Sequence, residues 1–125
     1  MTSTTSTPIV TEILLPLLLH PARLAEAALI EVVKSMAKNV GKEAFVRQQH
    51  AIMSRADSLD LLPVIDCPTL VLCGRQDALT PLARHQEIAA GIKGARLEVI
   101  EDCGHLSDLE RPAAVNADLR RWFAA

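Results

Sequence analysis

The chain has 125 residues, a formal net charge of −2 and a pI near 6.1. Half of its residues are hydrophobic but only 2% are aromatic, so its core must be built from aliphatic side chains. Because base-stacking side chains are scarce and the basic residues are scattered, the composition excludes a nucleic-acid-binding protein. The length corresponds to a single domain.

The sequence predicts neither a membrane span nor a disulfide framework. The longest apolar run, residues 13–19, is interrupted by Pro16, whereas a spanning helix needs about 20 apolar residues. The three cysteines, Cys67, Cys73 and Cys103, show no CxxC spacing, and their odd number favours free thiols in a reducing compartment. We therefore expect a cytoplasmic protein without a membrane partner, and no motif predicts a cofactor.

The first half of the chain shows helical periodicity. Residues 1–12 are mostly small and polar, and they predict a flexible leader. Residues 13–58 predict three helices joined by short turns: a short one that ends at Pro21, one over residues 22–40 and one over residues 42–55. This half is therefore predicted to be a helical layer.

Four side chains of this half have two interpretations each. Met36 and Met53 occur at helical spacing, which predicts core packing rather than an adaptable binding groove. His20 and His50 are isolated histidines beside the apolar faces, so we expect capping or surface roles and not metal ligation.

The second half, residues 59–125, alternates strands with helices. The nearly unbroken apolar run at residues 69–73 predicts a strand that is covered on both faces, as in parallel sheets. Thr80 and Pro81 predict the start of a crossover helix, with the Thr80 hydroxyl as its cap. Residues 97–100 predict a second strand, parallel to the first. The final helix is predicted to pack on the sheet through Val115, Leu119, Trp122 and Phe123.

Asp77 and His105 each follow one of these strands. Because parallel strands joined by a right-handed crossover end at the same edge of a sheet, we expect the two side chains to lie together. An acid that orients a histidine, which in turn takes a proton from a nucleophile, is the arrangement of serine and cysteine hydrolases. The spacing of 28 residues fits one loop, one helix, one strand and a second loop.

Two motifs carry a resemblance to a known family. The segment G-R-Q-D-x-L-T-P, which contains Asp77, and the segment C-G-H-x-x-x-x-E-R-P, which contains His105, resemble the C-terminal half of the α/β-hydrolase superfamily. The resemblance implies an α/β fold with Asp77 and His105 as the catalytic acid and base for hydrolysis of an ester or related acyl bond. Residues 13–58 resemble the helical cap of the family's esterase, lactonase and C–C hydrolase branch. Residues 59–125 resemble the C-terminal part of its core, with two parallel strands and flanking helices.

The nucleophile motif of the family, G-x-S-x-G, does not occur in the sequence. The resemblance therefore predicts a truncated hydrolase that begins at its cap and has an incomplete catalytic triad. Cys103 could replace the serine, but a small apolar residue at a strand end is the interpretation we favour. Zinc bound by Asp77, His105 and Cys103 is disfavoured by the ligand spacing. A serine from an exchanged helix, Ser35 or Ser54, is the remaining route to a triad.

Three further side chains are near the pair in the sequence. Asp108 and Glu110 predict an exposed acidic loop, with tuning of His105 as the alternative. His85, on the crossover helix, is expected to face the solvent.

Two strands alone do not make a stable sheet. The strand that contains Leu70 and Cys73 would expose a flat apolar edge, which is a template for pairing with another chain. We therefore predict that an obligate homodimer completes the partial fold, with these strands paired about a two-fold axis. Two functions remain open: hydrolysis of a small ester substrate, or a non-catalytic dimerising module derived from a hydrolase.

Overall fold

The computed structural model describes residues 10–125, so most of the predicted leader lies outside the described residues. The α-helices and strands are α1 (Leu15–Leu18), α2 (Ala27–Val40), α3 (Lys42–Ser54), β1 (Leu70–Gly74), α4 (Leu82–Gly91), β2 (Arg96–Ile100), α5 (Ser107–Glu110) and α6 (Pro112–Ala124). A π-helical turn precedes α1 at Val10–Leu14, and 3-10 turns occur at Pro21–Arg23 and Leu59–Val64. No helix in this part of the chain is long and apolar enough to cross a membrane.

β1 and β2 form a parallel pair, and α4 is the crossover between them. The register pairs Leu70 with Arg96 and Gly74 with Ile100, so both strands end at the same edge of the sheet. This arrangement confirms the predicted α/β fold with two parallel strands. It also places the loop after β1 beside the loop after β2.

Two groups of buried side chains form the core. One belongs to the helical half and consists of Leu15, Leu19 and Val33, with Leu106 from the second half packed against it. The other lies between the sheet and α6 and consists of Ile100, Cys103 and Val115, with Leu72 and Leu119 at its margin. Because Leu106 belongs to the first group, the helical half and the loop after β2 share a core.

The predicted helix over residues 22–40 is shorter in the structure, where α2 begins at Ala27. Pro21 starts a 3-10 turn instead, and the His20 side chain caps this turn by accepting a hydrogen bond from the Ala22 N–H at 3.0 Å. Glu26 then adopts an extended backbone conformation, with φ −83° and ψ 94°, at the N-cap of α2. The capping role predicted for His20 is confirmed.

Several side chains predicted to pack in the core are exposed. Met36 is 47% exposed, Met53 71% and Phe123 75%, and α3 contributes no buried residue. The predictions for these residues were wrong because periodicity identifies an apolar face without showing what covers it. Among the described residues, α3 contacts α2 but buries none of its side chains fully.

β1 is only partly covered. Val71 and Cys73 on one face are buried, whereas Leu70 and Leu72 on the other face are half-buried. The expectation that both faces are fully covered is wrong for the described chain. β2 is the single strand paired with β1 among residues 10–125, so the opposite edge of β1 has no strand beside it.

Candidate active site

The loops after β1 and β2 are in direct contact, and Gly74 permits their close approach. A Cβ atom at Gly74 would collide with the carbonyl oxygens of Gly104 and Cys103. Hydrogen bonds then join the loops: the Gln76 N–H donates to the Cys103 carbonyl, and the Cys103 N–H donates to the Gln76 Oε1, both at 2.9 Å. The spacing between Asp77 and His105 is therefore fixed by backbone contacts as well as by the strands.

The Asp77 carboxylate lies at the centre of the site and is buried, with its side chain 3% exposed. Oδ1 accepts hydrogen bonds from the backbone N–H groups of Leu79 and Thr80, at 3.1 and 2.9 Å. Oδ2 accepts one from the Thr80 hydroxyl at 3.0 Å and lies 2.9 Å from the His105 Nδ1. These donors compensate the desolvation of the carboxylate and hold it in one orientation.

His105 is 30% exposed, so its ring is open to solvent while its partner is not. Because Nδ1 faces a carboxylate, it carries the proton in the neutral imidazole, and the lone pair is on Nε2. Both hydrogen bonds of the ring within residues 10–125 are made by Nδ1. The ring is therefore oriented as a base that would act through Nε2.

Thr80 is part of the site, although the sequence suggested a different role. It was predicted to cap α4, but α4 begins at Leu82 with Pro81 as its N-cap and without a side-chain cap hydrogen bond. Its hydroxyl instead bonds Asp77 and lies 3.1 Å from the His105 Nδ1. A hydroxyl three residues after a loop aspartate was the available signal, because short polar side chains in such turns bond each other locally.

Glu110 is buried rather than exposed, so the prediction of an exposed acidic loop is wrong for this residue and right for Asp108. Its Oε2 accepts a hydrogen bond from the Gly104 N–H, and its Oε1 accepts one from the His20 N–H, both at 2.9 Å. The Arg23 guanidinium lies 3.5 Å from Oε1. These partners stabilise the buried charge, and they tie the helical half to the residue next to His105.

Asp102 makes a second connection between the two halves. Its side chain pairs with Arg111, with Arg23 at 3.4 Å and with the His20 Nε2 at 3.3 Å. Desolvation acts to raise the pKa of Asp102, but Arg111, Arg23 and His20 outweigh it and hold the pKa below its ordinary value. The carboxylate is therefore ionised at neutral pH and stabilises the histidine loop.

The buried cysteines do not supply a nucleophile. Cys103 is fully buried, and burial first, then the Glu110 charge, raises its pKa to about 11. Burial and Asp77 also raise the pKa of Cys73. Since the thiolate is the attacking form, the high pKa makes Cys103 a poor nucleophile at neutral pH. This supports the interpretation of Cys103 as a small apolar residue.

Asp77, His105 and Cys103, the zinc ligands that the sequence disfavours, form no cluster of potential ligand atoms in the part of the chain that the structure describes. Among residues 10–125, Asp77 instead groups with Cys73 and His85, whose potential ligand atoms all lie within 4.8 Å of one another. His85 is half-buried, so the expectation that it faces the solvent is only partly correct.

The two candidate serines, Ser35 and Ser54, are both exposed, and among residues 10–125 neither forms a hydrogen bond with Asp77 or His105. The Ser54 hydroxyl donates to the Ala51 carbonyl at 3.4 Å, and Ser35 lies on the exposed side of α2. Within residues 10–125, no serine hydroxyl bonds His105. Both ring contacts involve other residues, Asp77 and Thr80.

Comparison with known proteins identifies related chains. A 2-hydroxy-6-oxononadienedioate/2-hydroxy-6-oxononatrienedioate hydrolase of Pseudomonas sp is 33% identical over 80 residues, which are 64% of this chain and 28% of that protein. A pimeloyl-(acyl-carrier protein) methyl ester esterase of Neisseria meningitidis is 40% identical over 67 residues, or 51% of this chain and 26% of that protein.

A solved structure of an esterase is also similar to this chain. The thermophilic esterase from Thermogutta terrifontis superposes with a TM-score of 0.89 and 30% identity, covering 98% of this chain and 46% of that one. The chain thus spans less than half the length of each of these proteins. The model of the alpha/beta hydrolase family matches residues 6–118. With the parallel strands and the acid–histidine loops in the order of that fold, the chain belongs to the alpha/beta hydrolase family.

Proposed function

We propose that this chain contributes the acid and the base of a hydrolase that acts on esters or related acyl bonds. His105 is the general base, and Asp77 orients its ring. The observation that carries the proposal is the 2.9 Å contact between a buried carboxylate and the Nδ1 of a half-exposed imidazole. The relatives support the substrate class, because two of them are named as esterases.

In the proposed reaction, the His105 Nε2 takes the proton of an attacking hydroxyl as its oxygen forms a bond to the carbonyl carbon. Asp77 stabilises the imidazolium that results, and the same proton then passes to the leaving alkoxide. We place the nucleophilic serine outside this sequence, in the part of the hydrolase fold that the relatives contain and this sequence does not match. The support is that this chain matches only 26% of one relative and 46% of the other.

The test is the hydrolysis of a small activated ester, p-nitrophenyl acetate, by the 125-residue chain. An activated ester also reports attack by water that an oriented histidine activates, so a missing serine does not silence the assay. We expect a rate above that of buffer, and we expect His105→Ala and Asp77→Asn to remove it, since general base catalysis contributes at least about a hundredfold. His50→Ala and Asp66→Asn, at exposed positions, are the matched controls.

The competing proposal is the non-catalytic dimerising module. A chain that gives no rate above buffer, and that forms a stable oligomer, favours the module over the enzyme. A rate that is equal in wild type and His105→Ala would likewise contradict the proposed role of His105.

We also propose a reducing, cytoplasmic location. The support is chemical: all three cysteines are unpaired, and two of them are buried in or beside the sheet.

A further inference from the structure

A second group of side chains shares the Asp77 carboxylate. Cys73 is in β1, Asp77 is in the following loop and His85 is in α4, so three separate elements converge on one place. The thiol sulfur, a carboxylate oxygen and an imidazole nitrogen lie within 4.8 Å of one another. Cys73 and Asp77 are buried and His85 is half-buried, so this group differs from a solvated acidic patch.

The chemistry of this group matches that of a transition-metal site. Thiolate, imidazole and carboxylate are the ligands that zinc prefers, and three protein ligands leave a fourth position for water. The His85 Nδ1 lies 3.3 Å from the Pro81 carbonyl oxygen, the kind of second hydrogen bond that orients a ligating imidazole. We propose that Cys73, Asp77 and His85 bind a zinc-like divalent cation.

The geometry requires a small adjustment. Tetrahedral zinc with bonds of about 2.0–2.3 Å holds its ligand atoms roughly 3.5 Å apart, and the present separations reach no more than 4.8 Å. Closure by about 1 Å is within the reach of side-chain rotation, and the His85 ring is the least buried of the three side chains. On binding, the ion replaces the proton of the Cys73 thiol, which passes to the buffer.

Occupancy of this site competes with the Asp77–His105 contact. A carboxylate has about four lone-pair positions, and on Asp77 two backbone N–H groups, the Thr80 hydroxyl and His105 already occupy them. An ion must therefore displace one partner. The backbone donors are fixed by the loop, whereas the two side chains on Oδ2 can rotate away. The bound ion thus withdraws the acid from His105, and by linkage His105 weakens ion binding.

The test is a titration of the reduced, metal-free 125-residue chain with Co²⁺, followed by absorbance from thiolate-to-cobalt charge transfer. We expect one ion per chain and displacement by Zn²⁺. Cys73→Ser should remove the thiolate band. His85→Asn should weaken ion binding at least about tenfold, because removing even a residue that only orients a metal ligand lowers the affinity by about that factor. Cys67→Ser and His50→Asn change the same residue types at exposed positions, and they should bind as the wild type does.

His105→Ala tests the competition, and we expect it to tighten ion binding. Absence of a thiolate band, its persistence at wild-type affinity in His85→Asn, or its loss in Cys67→Ser would overturn the site. Unchanged affinity in His105→Ala would overturn the competition alone. If Cys73→Ser does not fold by circular dichroism, His85→Asn decides, because that side chain is partly exposed. The measurement uses no substrate, so its failure is distinct from a failure of the proposed hydrolysis.

Discussion

The Glu110 carboxylate accepts hydrogen bonds from the backbone N–H groups of Gly104 and His20 and faces the Arg23 guanidinium, with its side chain fully buried. Glu110→Gln keeps the shape but turns an amide NH₂ toward one of these donors and removes the charge opposite Arg23. We expect a loss of about 3 kcal/mol in the free energy of unfolding, as when a buried ion pair loses one partner. Urea denaturation followed by Trp122 fluorescence measures it.

Glu87→Gln is the control for this substitution, since Glu87 pairs with Arg84 at 2.9 Å on the surface. We expect a change below about 0.5 kcal/mol there, because exposed pairs contribute little. A loss below about 1 kcal/mol for Glu110→Gln would mean that the backbone, and not this charge, holds the histidine loop.

The cysteines allow a second prediction from single residues. Cys67 is exposed, whereas Cys103 has its pKa raised to about 11 by burial first and by Glu110 second. At pH near 8, roughly one Cys103 thiol in a thousand is ionised, so iodoacetamide should modify Cys67 first in the folded chain and all three cysteines only in denaturant. Mass spectrometry of timed samples checks this. Equal labelling rates for Cys103 and Cys67 would restore Cys103 as a candidate nucleophile.

At the scale of elements, the 3-10 turn Pro21–Arg23 is joined to the loop after β2 through Asp102. The pKa of Asp102 is lowered because Arg111, Arg23 and His20 outweigh desolvation, so this carboxyl binds protons less readily in the folded than in the unfolded chain. The ionised Asp102 carboxylate therefore stabilises the fold fully at pH values above 3.8, the ordinary pKa of the group. This stabilisation is lost as the pH falls through the lower pKa of Asp102 in the folded chain.

Asp102→Asn tests this connection, and Asn tolerates the positive φ of 53° at this position. We expect a lower melting temperature than wild type at neutral pH, and a difference that shrinks as the pH falls below 3.8 and through the lower folded pKa of Asp102. The exposed Asp66→Asn variant should show no comparable pH-dependent difference. A constant difference across the pH range would assign the effect to packing instead of charge.

The elements that the sequence predicted well were those with a signal in consecutive residues. Two apolar runs and the intervening helical segment define the parallel pair. The burial of Glu110 could not be predicted in this way, because its partners include a backbone N–H 90 residues away. The role of Thr80 was missed because cap and site hydroxyls have the same sequence signature.

At the scale of the whole molecule, many apolar side chains remain exposed in the described chain. Those on α2, α3 and the 3-10 turn at Leu59–Val64 are Val32, Met36, Val40, Val46, Ile52, Met53, Leu59, Leu61 and Val64. β1 adds its unpaired edge, where backbone groups are available to a further strand. A surface of this kind favours association, either with the remainder of a hydrolase fold or with a second copy of the chain.

The homodimer stays a prediction, and it is testable with the chain alone. Pairing of two β1 edges about a two-fold axis would give an antiparallel contact and bury Leu70 and Leu72 more fully. We expect light scattering at micromolar concentration to give twice 13.6 kDa, and the urea midpoint to rise with protein concentration, because unfolding of an obligate dimer is coupled to dissociation. A monomer at this concentration, with a midpoint independent of concentration, would contradict the dimer. A monomer would instead suggest that the free edge of β1 pairs with further strands of a hydrolase fold, as a longer chain could supply.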